Sequence, residues 1–159
     1  MAAQQYFNTS IRNLTYRLRR FREILNDELK DEILNNADVI IEMIAQNQLY
    51  EQGIEGRGVS IMSYRPYAPR TIKKKQKKGQ PYDRVTLRDT GEFHASLRVE
   101  SDENGFYIVS SDEKAEYLLE RYGTTIFRLT NENLKELLNN YIRPSLAKKL
   151  KAKILNDRT

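Results

Sequence analysis

The sequence predicts an α+β fold: a long N-terminal amphipathic helix, a small antiparallel β-sheet with a hairpin, and a C-terminal helix. Three observations predict it. Apolar residues recur at steps of three and four from Ile11 to Ile44, the period of a helix with one buried face. Two β-prone runs, Leu97–Ser101 and Phe106–Ser110, flank Asn104-Gly105, the dipeptide that favours tight hairpin turns. Leu134, Leu137, Leu138, Tyr141 and Ile142 then return to the helical period near the C-terminus.

Taken in order, Ile11, Leu14, Leu18, Phe21 and Leu25 begin the first stripe, and Leu29, Ile33, Ala37, Ile40 and Ile44 continue it. No Gly or Pro interrupts the run before Gly53. The expected helix spans Thr9 to Glu51, with Ser10 as N-cap. Asn35-Asn36 is the expected break, because asparagine is a poor helix former. Unbroken, about 40 helical residues would reach roughly 60 Å, against a radius of gyration of about 15 Å for a compact domain of this length. The helix must therefore kink or project, and a projecting apolar stripe needs a partner surface.

Gly53, Gly56 and Gly58 mark a turn. Pro66 and Pro69 make the following stretch irregular or extended, and Thr71 to Lys78 reads either as a short basic helix stopped by Gly79 or as a mobile loop. Glu92 to Ser96 reads as a helical turn. In the hairpin, Leu97 and Val99 share a face with Phe106 and Ile108. Lys114 to Arg121 is a short helix stopped by Gly123, and Thr124 to Leu129 is a third strand candidate. Thr130 or Asn131 caps the last helical region, which Pro144 kinks or restarts. The result is a single domain in three parts: a helical region over 1–52, a basic Gly/Pro/Lys-rich loop segment over 53–84, and an α+β core with the C-terminal helix over 85–159.

Composition narrows the function. The chain has 159 residues and a net charge of +5. Its mean hydropathy is −0.73, and no apolar run approaches the roughly 18 residues of a membrane span. No membrane role and no signal peptide are expected, since Met1 to Ser10 lacks the basic-then-apolar pattern. There is no cysteine, which removes disulfides, thiol catalysis and thiolate metal sites. His94 is the sole histidine; beside Glu92 and Asp89 it reads as a surface residue, because no second histidine completes a usual metal site. The Gly53–Gly58 glycines lack the spacing and the Lys-Ser/Thr of a phosphate loop. The acidic pairs Asp102-Glu103 and Asp112-Glu113 fall in turns. No catalytic residue, metal or cofactor is expected.

The charge is concentrated. Between Arg57 and Arg88 lie ten basic residues against Asp83 alone, while the remainder is slightly acidic. Such asymmetry favours a local polyanion contact, with Arg70, Lys73, Lys74, Lys75, Lys77 and Lys78 as candidates to touch DNA or an acidic partner. Tyr64, Tyr67 and Tyr82 are interleaved with these cations, a composition found on nucleic-acid surfaces and equally at half-buried, half-wet positions.

Between residues 64 and 150 the motifs follow a distinctive order. Tyr64, Pro66 and Tyr67 precede Thr71 and the lysine run. Leu87-Arg88-Asp89-Thr90-Gly91-Glu92-Phe93 comes next, with Ser96-Leu97 and the hairpin after it. Glu116-Tyr117-Leu118-Leu119-Glu120-Arg121-Tyr122-Gly123-Thr124 and Tyr141-Ile142-Arg143-Pro144-Ser145-Leu146 complete the series. This order resembles the tail-completion and virion-morphogenesis proteins of tailed bacteriophages, small neck proteins of the head–tail junction. The chain departs from them in Arg121, inserted between Glu120 and Tyr122, and in its long first helix. The resemblance implies a small antiparallel sheet flanked by helices and a homo-oligomeric ring in the virion. It further implies assembly in the host cytoplasm with other phage neck and tail proteins; in such a ring the basic segment would face genomic double-stranded DNA in the channel or an acidic partner protein. Ile11, Leu14, Leu18, Phe21, Tyr122 and Tyr141 are the expected oligomer contacts. The alternative reading is a small sequence-independent nucleic-acid-binding protein, and a third is a phage nuclease or other metal enzyme.

Overall fold

The computed structural model describes residues 2–102 and 105–156, with side chains over 12–153 of that range. Helix α1 runs Ala2–Asn35, so Ser10 lies inside the helix and does not cap it. The break falls at Asn36, whose backbone leaves the helical region (φ −105°, ψ 19°). Its side-chain amide donates to the Glu32 carbonyl at 2.8 Å, the local competition that makes asparagine a helix breaker. Helix α2 (Ala37–Glu42) follows and widens into a π-helical segment, Met43–Gln52. Gly53 ends it at φ +65°, where an added Cβ would sit 2.7 Å from the Arg84 Cβ. Both the left-handed backbone and the close approach require glycine there.

The helix thus kinks and also projects. The inner part of α1 lies against helix α8 (Arg143–Asn156). Glu28 and Glu32 are buried in that contact. Glu32 accepts from Lys149 Nζ at 2.6 Å and from Ser145 Oγ at 2.8 Å, and Glu28 pairs with Lys153. The Lys149 ammonium holds the Glu32 carboxyl below the usual carboxylate range. From Arg12 to Glu23, by contrast, every side chain is exposed. Residues 2–22 form an arm about 30 Å long at 1.5 Å per residue.

The core gathers side chains from all three parts of the chain. Ile40, Ile44, Leu49, Ile61, Val85 and Ile126 are fully buried, with Leu137 and Ile142 nearly so. Short helices α3 (Ile61–Tyr64), α4 (Pro69–Lys77) and α5 (Glu92–Ala95) precede the hairpin. Strands β1 (Leu97–Ser101) and β2 (Phe106–Ser110) pair antiparallel, with Val99 opposite Ile108 and Leu97 opposite Ser110. That register puts Leu97, Val99, Phe106 and Ile108 on one face, as the alternation predicts. The Asp102 amide donates to the Gly105 carbonyl at 2.9 Å and the Gly105 amide to Asp102 Oδ1 at 3.1 Å, closing the turn; Glu103 and Asn104 lie outside the described residues. Strand β1 packs on α1 and α2.

Thr124–Leu129 is not a third strand. After helix α6 (Ala115–Tyr122) and Gly123, Thr124–Phe127 forms a 3₁₀ turn that buries Ile126. The Gly56 amide donates to the Thr125 carbonyl at 2.9 Å, so this backbone is satisfied by the Gly53–Gly58 turn and needs no ladder. Glycine is required for that approach: a Cβ at Gly56 would lie 2.4 Å from the Arg128 Cβ. Helix α7 (Asn131–Glu136) begins as expected, with Thr130 Oγ1 accepting from the Asn133 amide at 3.2 Å. A second π-helical segment, Leu137–Ile142, leads into α8. It sits just before Pro144, where the missing N–H and the ring would disrupt regular α-helix four residues back.

One buried side chain joins the two halves of the core. Gln48 donates from Nε2 to the Arg128 carbonyl at 2.9 Å. Its Oε1 accepts from the Thr130 amide at 2.8 Å and from Asn133 Nδ2 at 2.9 Å. A buried amide with its partners filled fixes the register between these segments.

Candidate functional site

The lysine run is helical, and the helix sorts its charges. Pro69 suits the first position of α4 because its missing N–H would be unpaired there anyway. Ile72 and Lys75, three apart, share the inward face. Lys75 is only 5% exposed. Its Nζ donates to the Arg88 carbonyl at 2.7 Å, Thr86 Oγ1 at 3.2 Å and Gln80 Oε1 at 3.4 Å, and lies 5.2 Å from the Tyr67 ring centre. Burial pushes its pKa down from the ordinary lysine value. Lys75 is therefore a structural tie and is removed from the DNA-contact set. It holds a strained loop, since Leu87 beside Arg88 adopts φ +51°, a left-handed conformation costly for a branched side chain.

Lys74 and Lys78 are exposed, but both bond the Asp89 carboxylate, Lys74 at 2.7 Å. These two ammonium groups hold the Asp89 pKa at about 2. What remains open is the opposite face of α4, where Arg70, Lys73 and Lys77 recur at helical spacing and are exposed. Among the interleaved tyrosines, Tyr67 is half-buried and its hydroxyl accepts from the Thr86 amide at 2.9 Å. Tyr64 and Tyr82 are exposed.

His94 is not a surface histidine. Its ring is half-buried and Nε2 lies 2.9 Å from the Thr86 carbonyl, so the neutral Nε2–H form donates there. Burial lowers its pKa to about 4. No three His, Asp or Glu side chains gather to hold a metal ion among the described residues. No described helix is long and apolar enough to cross a membrane.

The expected oligomer contacts divide in the same way. Leu14, Leu18 and Phe21 are exposed on the arm, Leu18 at 60%; the Ile11 side chain lies outside the described residues. Tyr141 is 37% exposed. Tyr122 is 8% exposed and packs in the core, so it is removed from the contact set. A pair of consecutive aromatics on a strand must point to opposite faces, and Phe106 and Tyr107 are both exposed. They mark a surface that charge patterning alone does not reveal. Beside β2 lies an apolar groove of about 690 Å³, lined by Ile108, Leu119, Phe127, Leu129 and Leu134 and floored by Ile44. No family model, no curated protein and no solved structure matches the chain.

Proposed function

We propose that the chain is a structural subunit of a homo-oligomeric ring at the head–tail junction of a tailed bacteriophage, joining the head connector to the tail. The observation that carries this reading is the arm: a helix that leaves the body with Leu14, Leu18 and Phe21 uncovered. Apolar side chains recurring along a solvated helix are stabilised once a partner covers them. The work is done by fitting surfaces, with no catalytic residue, metal or cofactor assigned. The order of motifs between Tyr64 and Leu146, resembling phage neck proteins, supports placing that ring in the virion beside other neck and tail proteins. Arg70, Lys73 and Lys77 would face DNA in the channel. Duplex DNA carries one charge per about 1.7 Å of axis, so three cations repeated around a ring make a dense, sequence-independent belt.

Electron microscopy of purified virions with the chain labelled tests the proposal. A ring of label between head and tail is the expected result; virions that lack the chain would overturn it. A second reading, a sequence-independent nucleic-acid-binding protein, is favoured by the open face of α4 alone. It predicts tight DNA binding by the isolated chain that falls steeply with salt, and converting Arg70, Lys73 and Lys77 to glutamine should abolish it.

A further inference from the structure

We infer that the arm of one copy seats in the β2 groove of a second copy, a head-to-tail contact; this deepens the ring reading above and rests on it. Three observations commit the groove to that occupant. The first is shape. Leu14, Leu18 and Phe21 stand at positions i, i+4 and i+7, the anchor spacing by which an amphipathic helix fills an apolar groove. The groove beside β2 is open, apolar and lined by Ile108, Leu119, Leu129 and Leu134.

The second observation is charge. Residues 2–22 contain five arginines and no acidic residue. Arg17 and Arg22 flank the stripe, three or four residues from its members. The segment 100–136 supplies most of the groove wall and carries nine acidic residues against four basic ones. Glu116 and Glu120 are exposed on α6, each next in sequence to a groove-lining residue, Ala115 and Leu119. Arg128 is the one charge in the lining itself. Two arms packed on each other would set like charge against like, whereas an arm in the groove brings its arginines beside Glu116 and Glu120, with Arg128 the one like charge they meet.

The third is reach. Helix α1 is continuous from Ala2 to Asn35, so its outer part cannot fold back onto its own groove without breaking. The contact is therefore between copies. Because arm and groove are different surfaces, it is heterologous, the kind that closes into rings when the rotation permits.

The absence of cysteine makes a clean test. Leu18→Cys and Leu134→Cys, both at exposed positions, are prepared separately, mixed, and oxidised mildly, with light scattering on the unmodified chain alongside. The expected result is a disulfide-linked pair from the mixture and almost none from Leu18→Cys alone. Cross-linking of Leu18→Cys to itself at equal or higher yield would show arm on arm and overturn the inference. Multimers by light scattering with no 18–134 link would overturn the docking and leave the ring reading standing; a monomer at every concentration would overturn both. A charge exchange gives an independent readout. Arg17→Glu with Arg22→Glu should weaken assembly about tenfold, and Glu116→Lys with Glu120→Lys should restore it. Failure of the second pair to restore it counts against the docking.

Discussion

The inner and outer parts of α1 carry one stripe with two fates. Around Glu28, Leu29, Glu32 and Ile33, helix α8 covers the stripe, and lysines 149 and 153 neutralise the buried carboxylates. Around Leu14, Leu18 and Phe21 no described residue covers it. The period of the apolar residues is the same in both. What differs is the neighbour: periodicity marks an apolar face and does not say what, if anything, covers it. Helix α4 repeats the lesson on a smaller scale, with Lys75 closed inside the molecule and Lys73 and Lys77 left open.

The contrast predicts how substitutions divide. Ile44→Ala, in a fully buried site, should cost about 2–5 kcal/mol in urea unfolding. Leu18→Ala should change monomer stability by less than about 0.5 kcal/mol while weakening assembly; a large loss of monomer stability there would mean the arm is packed after all.

Acid should find the closed side next. His94 is held neutral, with its pKa at about 4 against an ordinary value of 6.5. The unfolded chain binds that proton first as pH falls. Stability should therefore decline from pH 6.5 to 4, by as much as about 3 kcal/mol. His94→Gln keeps a donor for the Thr86 carbonyl and should flatten this slope. An unchanged slope would place its origin elsewhere.

Within α4, Lys75→Ala should cost about 1–3 kcal/mol, because it strands buried acceptors, whereas Lys73→Ala should leave stability unchanged and, on the DNA-contact reading, weaken binding and lower its salt slope by about one. Equal effects would erase the division of the helix. Smallest of all, Asp89→Asn should remove a modest loss of stability below about pH 4. Asp89 has its carboxyl lowered to about 2 by Lys74 and Lys78, so its contribution is present above the ordinary aspartate value and disappears as pH falls toward 2.

The fold is legible in the sequence where local physics decides. Asn36 breaks the long helix, Thr130 caps α7, Gly123 stops α6, and the alternation in Leu97–Ser110 sets the face of the hairpin. Tertiary context decided the rest. Thr124–Leu129 has strand-like residues, but a neighbouring glycine turn takes its backbone bond. Lys75 is one letter in a run of lysines until Ile72, three residues before it, marks the inward face. Gln48 offers no signal at all, since its three partners lie some eighty residues away. The open face of α4 and the arm were legible because charge and period survive without a fold. The groove beside β2 was not, because it is built by folding from residues spread between 40 and 134.

The central claim is that the uncovered stripe of the arm drives self-assembly. Native mass spectrometry of the purified chain beside a Leu18→Asp, Phe21→Asp variant tests it most directly. The account predicts a discrete multimer for the former and a folded monomer, with an unchanged urea midpoint, for the latter. A chain that is monomeric throughout, or a variant that assembles as before, would contradict it.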